Sequence, residues 1–96
     1  MVAVLGGKVK PYTEIQQNNT IIRTFPFNLN EEELVWHRDH NDRNVKVLTG
    51  EGWKVQMDNQ LPKEIKRGDE FFIPKETYHR VIKGTTDLVV KITEDV

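Results

Sequence analysis

His37 and Asp39 are separated by one residue in the run Trp36-His-Arg-Asp-His40. If that run is extended, residues i and i+2 leave the same face of a strand. The imidazole and the carboxylate then start close enough together to bite one ion. Both are nitrogen or oxygen donors of the kind that hold divalent first-row metals. His40 lies three residues from His37, so on a strand it faces away and reads as a solvent or turn histidine. Arg43 brings a different chemistry. A guanidinium has no lone pair to offer a metal, so Arg43 either pairs with Asp39 or clamps a carboxylate or phosphate in a two-pronged contact. His79, taken alone, reads as a satisfied core histidine.

These side chains need elements to hold them. Thr20-Ile-Ile-Arg-Thr-Phe-Pro-Phe27 is β-rich, with Pro26 suited to an edge or a bend, and Asn28-Leu-Asn30 reads as a turn. Asn30 with Glu33 resembles a helix start with a capping box. A helix from Leu34, however, would have no apolar stripe to bury. The segment around His37 is therefore expected to be a strand, with Val35, His37 and Asp39 on one face and Trp36, Arg38 and His40 on the other. Arg43 to Thr49 alternates, with Arg43, Val45 and Val47 on one side. Trp53, Val55 and Met57 share a face of the next strand, beyond Gly50-Glu-Gly52. Glu70 to Ile73, Tyr78 to Lys83 and Leu88 to Ile92 complete a set of short strands separated by turn residues. Such a set predicts an all-β barrel or sandwich.

The bulk properties narrow the rest. The 96 residues suit a single domain, here taken as 1–96, with a thin core. Net charge is −1, which gives no excess to attract nucleic acid or an anionic membrane. There is no cysteine, so disulfides and thiolate chemistry are excluded. The sequence shows no signal-peptide pattern and no apolar run of membrane-spanning length, so a cytoplasmic location is expected. It also shows no phosphate-binding glycine loop and no nucleophile elbow.

From Trp36 to Lys83 the chain resembles the cupin superfamily. The first motif of that family is His-x-His, three or four residues, Glu, six residues, Gly; here His37, Asp39, Arg43 and Gly50 match it. The second motif is Gly, five residues, Pro-x-Gly, two residues, His, three residues, Asn; here Gly68, Pro74, Glu76, His79 and Lys83 fall in its places. The string Gly-Asp-Glu-Phe-Phe-Ile-Pro74, with His79 five residues after the proline, is similar to a family second motif. The motifs are separated by seventeen residues, Glu51 to Arg67. Asp39 stands where the family has its second His, Arg43 where it has Glu, and Glu76 where it has Gly, so the turn after Pro74 is expected to differ from the usual one.

The resemblance implies a single-domain jelly-roll β-barrel, and it places His79 on a strand beside His37 and Asp39. Two imidazoles and one carboxylate form the facial set that holds non-haem Fe(II) and leaves positions open. Fe(II) is thus the favoured ion, with Mn, Ni or Zn as alternatives. Arg43, Trp53, Val55 and Met57 are expected to shape a site for a small, anionic molecule. A metal-dependent oxygenase, isomerase or lyase would suit such a site. Two other readings stay open. One is a metal-free ligand-binding cupin in which Arg43 pairs with Asp39; the other is a structural domain whose polar cluster is a buried network. Small size and the habit of small cupins lead to the expectation of a homodimer.

Overall fold

The computed structural model describes residues 10–95. Eight strands run in chain order: β1 Thr13–Gln17, β2 Thr20–Phe25, β3 Asp42–Thr49, β4 Lys54–Met57, β5 Lys63–Glu64, β6 Glu70–Ile73, β7 His79–Ile82 and β8 Leu88–Asp95. They form a five-stranded sheet in the order β1-β2-β8-β3-β6 and a three-stranded sheet in the order β5-β4-β7. Every pairing is antiparallel. This is the expected all-β jelly roll. Among the described residues no helix is long and apolar enough to cross a membrane.

Period-two alternation decides what fills the barrel. Ile21 and Phe25 of β2, Val45 and Val47 of β3, and Leu88, Val90 and Ile92 of β8 are buried between the two sheets. Their neighbours Asn44, Lys46 and Lys91 face outwards and are exposed. From the smaller sheet come Val55 and, just ahead of β4, Trp53, which has no accessible surface. A buried indole must place its N–H; that of Trp53 donates to the Thr86 carbonyl at 2.7 Å. Room for the ring comes from Gly84, where a Cβ would strike the Glu51 carbonyl oxygen and lie 2.6 Å from the Trp53 nitrogen.

One expectation needs correction, and two features go beyond the sequence reading. First, the segment before β3 is neither a helix nor a full strand. Asn30 does cap, accepting from the Glu32 N–H at 2.9 Å, but only for a single 3-10 turn, Glu31–Glu33. With no apolar face to bury, that turn stops at Leu34. The chain then runs extended and meets β7 at one bridge, His37 opposite His79. Second, β1 is an element that alternation did not reveal. Its five residues, Thr-Glu-Ile-Gln-Gln, are all exposed, so it is held by pairing with β2 at the sheet edge. Third, in the turn after Pro74 Glu76 itself adopts a φ of 61°, in the left-handed region that favours glycine. Its N–H donates to the Asp39 carbonyl at 2.7 Å. Its carboxylate meets His40 at 2.9 Å and Arg38 at 3.3 Å, contacts that hold a backbone state costly for a side-chain-bearing residue.

Candidate metal centre

The two histidines are fixed by their backbones before their rings are considered. The His37 N–H donates to the His79 carbonyl at 3.0 Å, and the His79 N–H returns to the His37 carbonyl at 2.9 Å. This reciprocal pair brings both rings to the same point inside the barrel, with centroids 4.3 Å apart. Each ring is then oriented by its own chain. Nδ1 of His37 lies 3.0 Å from the Val35 carbonyl, and Nδ1 of His79 lies 2.9 Å from the Thr77 carbonyl. A carbonyl only accepts, so both Nδ1 atoms carry a proton, and whichever ring is neutral has its lone pair at Nε2. Metal-binding imidazoles are commonly held in this way.

Asp39 completes the group. Its Oδ1 meets Nη1 of Arg43 at 3.3 Å, while its Oδ2 lies 3.3 Å from Nε2 of His79. Oδ2 is buried and has no hydrogen-bond partner among the described residues. With His79 in its neutral form, two lone-pair acceptors face each other across that gap. Only a proton or a cation between them makes the contact favourable. Ligand atoms of His37, Asp39 and His79 all lie within 4.8 Å of one another. Two adjacent ligands of an ion at about 2.1 Å sit about 3 Å apart. The His79–Asp39 gap therefore nearly matches, and His37 has a small adjustment to make. The donor set fits a divalent ion.

Burial and charge tune these groups. Burial, which disfavours the imidazolium, is the main reason that His37 loses its proton below the usual histidine value; the neighbouring His79 adds to this. Burial pulls the other way on Asp39, but a hydrogen bond from His79, made when Nε2 of that ring carries a proton, and the Arg43 guanidinium together outweigh it and hold the carboxyl below the ordinary carboxylate range. Both groups therefore favour the deprotonated forms that a metal needs.

Arg43 opens inwards from the start of β3, where its cross-strand partner on β8 is Glu94. Its Nε and Nη2 reach Glu94 Oε2 at 2.8 and 2.7 Å. The guanidinium thus spans two carboxylates, Asp39 and Glu94, and all three side chains are about 15% exposed or less. Of the two roles open to Arg43, the structure has it paired with Asp39 rather than free to clamp an anion. The pairing uses Oδ1 only and leaves Oδ2 for the centre. Around the centre lies a cavity of about 850 Å³. Its charged lining among the described residues is Lys10, Arg23 and Arg43 against Glu14, Glu32, Glu33, Asp39 and Glu94, which is three cations to five carboxylates.

No family model matches this sequence. No curated protein matches it either. Solved structures do. A cupin-2 domain protein from Shewanella frigidimarina superposes with a TM-score of 0.64 at 18% identity, covering 93% of this chain and 84% of that one. A cupin domain from Bordetella pertussis gives 0.59 at 21% identity, with 94% and 100% covered. The Fe(II) form of HppE in complex with substrate gives 0.63 at 13% identity; the match covers 94% of this chain and 56% of that one. The chain has the cupin fold. The barrel interior that holds His37, Asp39 and His79 is thus the interior of a cupin-type fold.

Within this cupin barrel the remaining candidates separate. Val55 lines the cavity. Trp53 does not, since it is sealed in the core by Gly84 and Thr86 and can touch no ligand. Met57, opposite His79 in the β4–β7 pairing, packs half-buried against the core and is not among the lining residues. Alternation gave the right face for both, but the cavity occupies only part of that face. Phe71 lines the cavity while Phe72 is exposed. His40 is outside, with its side chain 88% exposed. Trp36 also lies outside, where the Arg80 guanidinium stacks over it at 4.9 Å. Four cavity carboxylates escaped the sequence reading: Glu32 and Glu33 of the 3-10 turn, Glu14 of β1 and Glu94 of β8. Glu14 sits in a polar strand without alternation to orient it. The only signal for Glu94 is that its strand, β8, supplies the buried run Leu88, Val90, Ile92, whose period of two continues to position 94.

Proposed function

We propose that this protein is a small cupin that binds a divalent metal through Nε2 of His37, Nε2 of His79 and Oδ2 of Asp39, and takes a small anionic molecule into the cavity beside it. The observation that carries the reading is the Oδ2 of Asp39, buried without a hydrogen-bond partner among the described residues and 3.3 Å from Nε2 of His79. A cation satisfies both atoms. Two imidazoles and one carboxylate favour Fe(II), with Mn, Ni and Zn as the alternatives. Arg43 supports the centre from behind: by holding Oδ1 it fixes the carboxylate's orientation and leaves one oxygen to coordinate. A bound ion with open positions would activate water or an oxygen-bearing ligand, or polarise a carbonyl, which suits an oxygenase, isomerase or lyase. His37 and His79, locked by their Nδ1 bonds, would orient the ion, and the apolar wall would exclude water.

The competing reading is a metal-free polar cluster, favoured by the Arg43–Asp39 contact. It leaves Oδ2 satisfied only if His79 is doubly protonated. Metal analysis of protein purified without chelator or affinity tag, and again after reconstitution with Fe(II), Mn(II), Ni(II) and Zn(II), tests the proposal. One ion per chain is expected, lost in His37→Ala and His79→Ala. A parent protein that takes up none of the four ions refutes it. The absence of cysteine suits a reducing cytoplasm, in which Fe(II) persists. A homodimer is expected by light scattering; a monomer at micromolar concentration would count against it.

A further inference from the structure

Arg43 is fully occupied, yet the cavity holds a second arginine whose environment differs. Arg23 projects inwards from β2, and its cross-strand neighbour on β1 is Glu14. Nε of Arg23 donates to Glu14 Oε1 at 2.9 Å. The face of its guanidinium lies on the Tyr12 ring, with Cζ 3.9 Å from the ring centroid. These two contacts fix the plane and one edge of the group. Among the described residues Glu14 is the one carboxylate within ion-pair distance of the group, and the closest approach is through Nε rather than the Nη atoms. Tyr12, Glu14, Arg23 and His37 all line the same cavity, and the charge of Arg23 acts on His37.

We infer that Arg23 is the anion anchor of the cavity and clamps the carboxylate of a small organic acid whose apolar body lies against the barrel wall. This rests on the reading above of the cavity as a ligand site beside a metal. The chemistry follows from the geometry of the group. A guanidinium offers a carboxylate two forks, one through Nε and Nη and one through both Nη atoms. Glu14 occupies Nε, so the fork made by the two Nη atoms remains. Tyr12 holds it flat, which lowers the ordering cost of binding. The wall beyond is apolar, with Ile21, Val55, Phe71 and Val90 among its residues. A cavity of about 850 Å³ has room for an acid larger than acetate. The lining is short of positive charge until a metal is bound, so occupation of the centre strengthens the site for an anion.

The test uses 4-phenylbutyrate and its neutral amide, 4-phenylbutyramide, as probes. Each is titrated into Zn(II)-loaded and metal-stripped full-length protein and followed by NMR and calorimetry. The parent should bind the carboxylate and not the amide, at least about tenfold more tightly with Zn(II) present. Arg23→Gln should weaken carboxylate binding by at least about tenfold while leaving Zn(II) affinity within about twofold, and Arg23→Lys should fall between them. Near-UV circular dichroism checks that both variants retain the native core. Equal binding of acid and amide, parent-like binding in Arg23→Gln, or no binding of the acid in either metal state overturns the inference. Failure of the parent to take up Zn(II) would count against the metal centre instead, and the metal-stripped titration still reads out Arg23.

Discussion

Replacing Asp39 by Asn separates a metal centre from a buried salt-bridge cluster, because the two predict opposite signs. The substitution is nearly isosteric. With its oxygen placed as Oδ1, the amide still accepts from Arg43, and its NH2 group stands where Oδ2 now faces His79 Nε2 at 3.3 Å. If His79 is neutral and offers a lone pair there, the amide turns an acceptor–acceptor contact into a hydrogen bond. Relieving a buried unpaired polar atom is worth about 1–3 kcal/mol, and weakening the Arg43 contact from charged to neutral gives back about 1 kcal/mol. Arg43 keeps Glu94 throughout. The metal-stripped variant should thus be as stable as the parent or up to about 2 kcal/mol more stable. Its affinity for divalent metal should fall by at least about a hundredfold, since a charged ligand becomes an amide. If instead His79 is an imidazolium paired with Asp39, the substitution breaks a buried ion pair and costs about 3–5 kcal/mol. Urea unfolding of metal-stripped protein at pH 7.5, with metal titration by calorimetry, reads both quantities. A metal-stripped Asp39→Asn protein destabilised by more than about 2 kcal/mol, with unchanged metal uptake, would refute the argument for a centre at Oδ2.

Three further outcomes follow from the same structure. The folded-state value of His37 lies below its ordinary 6.5, so the unfolded chain binds the extra proton first as pH falls. Stability contributed there is present above 6.5 and declines as pH drops through the folded value. Metal-stripped protein should therefore lose stability in urea between pH 7.5 and 5, and metal affinity should fall over the same range as protons compete for the imidazoles. Gly84→Ala drives a methyl group into the Glu51 carbonyl and the Trp53 ring, and should cost at least about 2 kcal/mol by thermal or urea unfolding. Glu76→Gly should be better tolerated than Glu76→Ala in the same assay. Both lose the contacts to His40 and Arg38, but only glycine is at ease at a φ of 61°.

What could be read from the sequence depended on which physical signal each residue carried. Val45, Val47 and Val55 alternate with polar neighbours, and the barrel follows from that period. His37, Asp39 and His79 were legible because their spacing matched a family pattern. Their convergence depends on one reciprocal backbone bridge that no local signal announces. Arg43 offered two roles, and the choice lay in Glu94, a residue 51 positions away whose pairing is set by the β3–β8 register. Arg23 could not be singled out, since its surroundings come from Glu14, on a strand that shows no alternating pattern, and from Tyr12 just ahead of that strand. Trp53 was placed on the correct face but not at the correct depth, because the neighbouring Gly84 decides where the cavity ends.

The order of strands also has a consequence for how the centre comes into being. β8 is the last described strand in the chain, yet it is the middle strand of the larger sheet, with β2 on one side and β3 on the other. It also carries Glu94, the residue that holds Arg43 in place behind Asp39. During synthesis, β2 and β3 emerge first and have no shared partner until β8 leaves the ribosome. The half-made chain therefore has no closed barrel in which His37, Asp39 and His79 can converge. Bringing the three side chains together is in this respect an event that waits for β8.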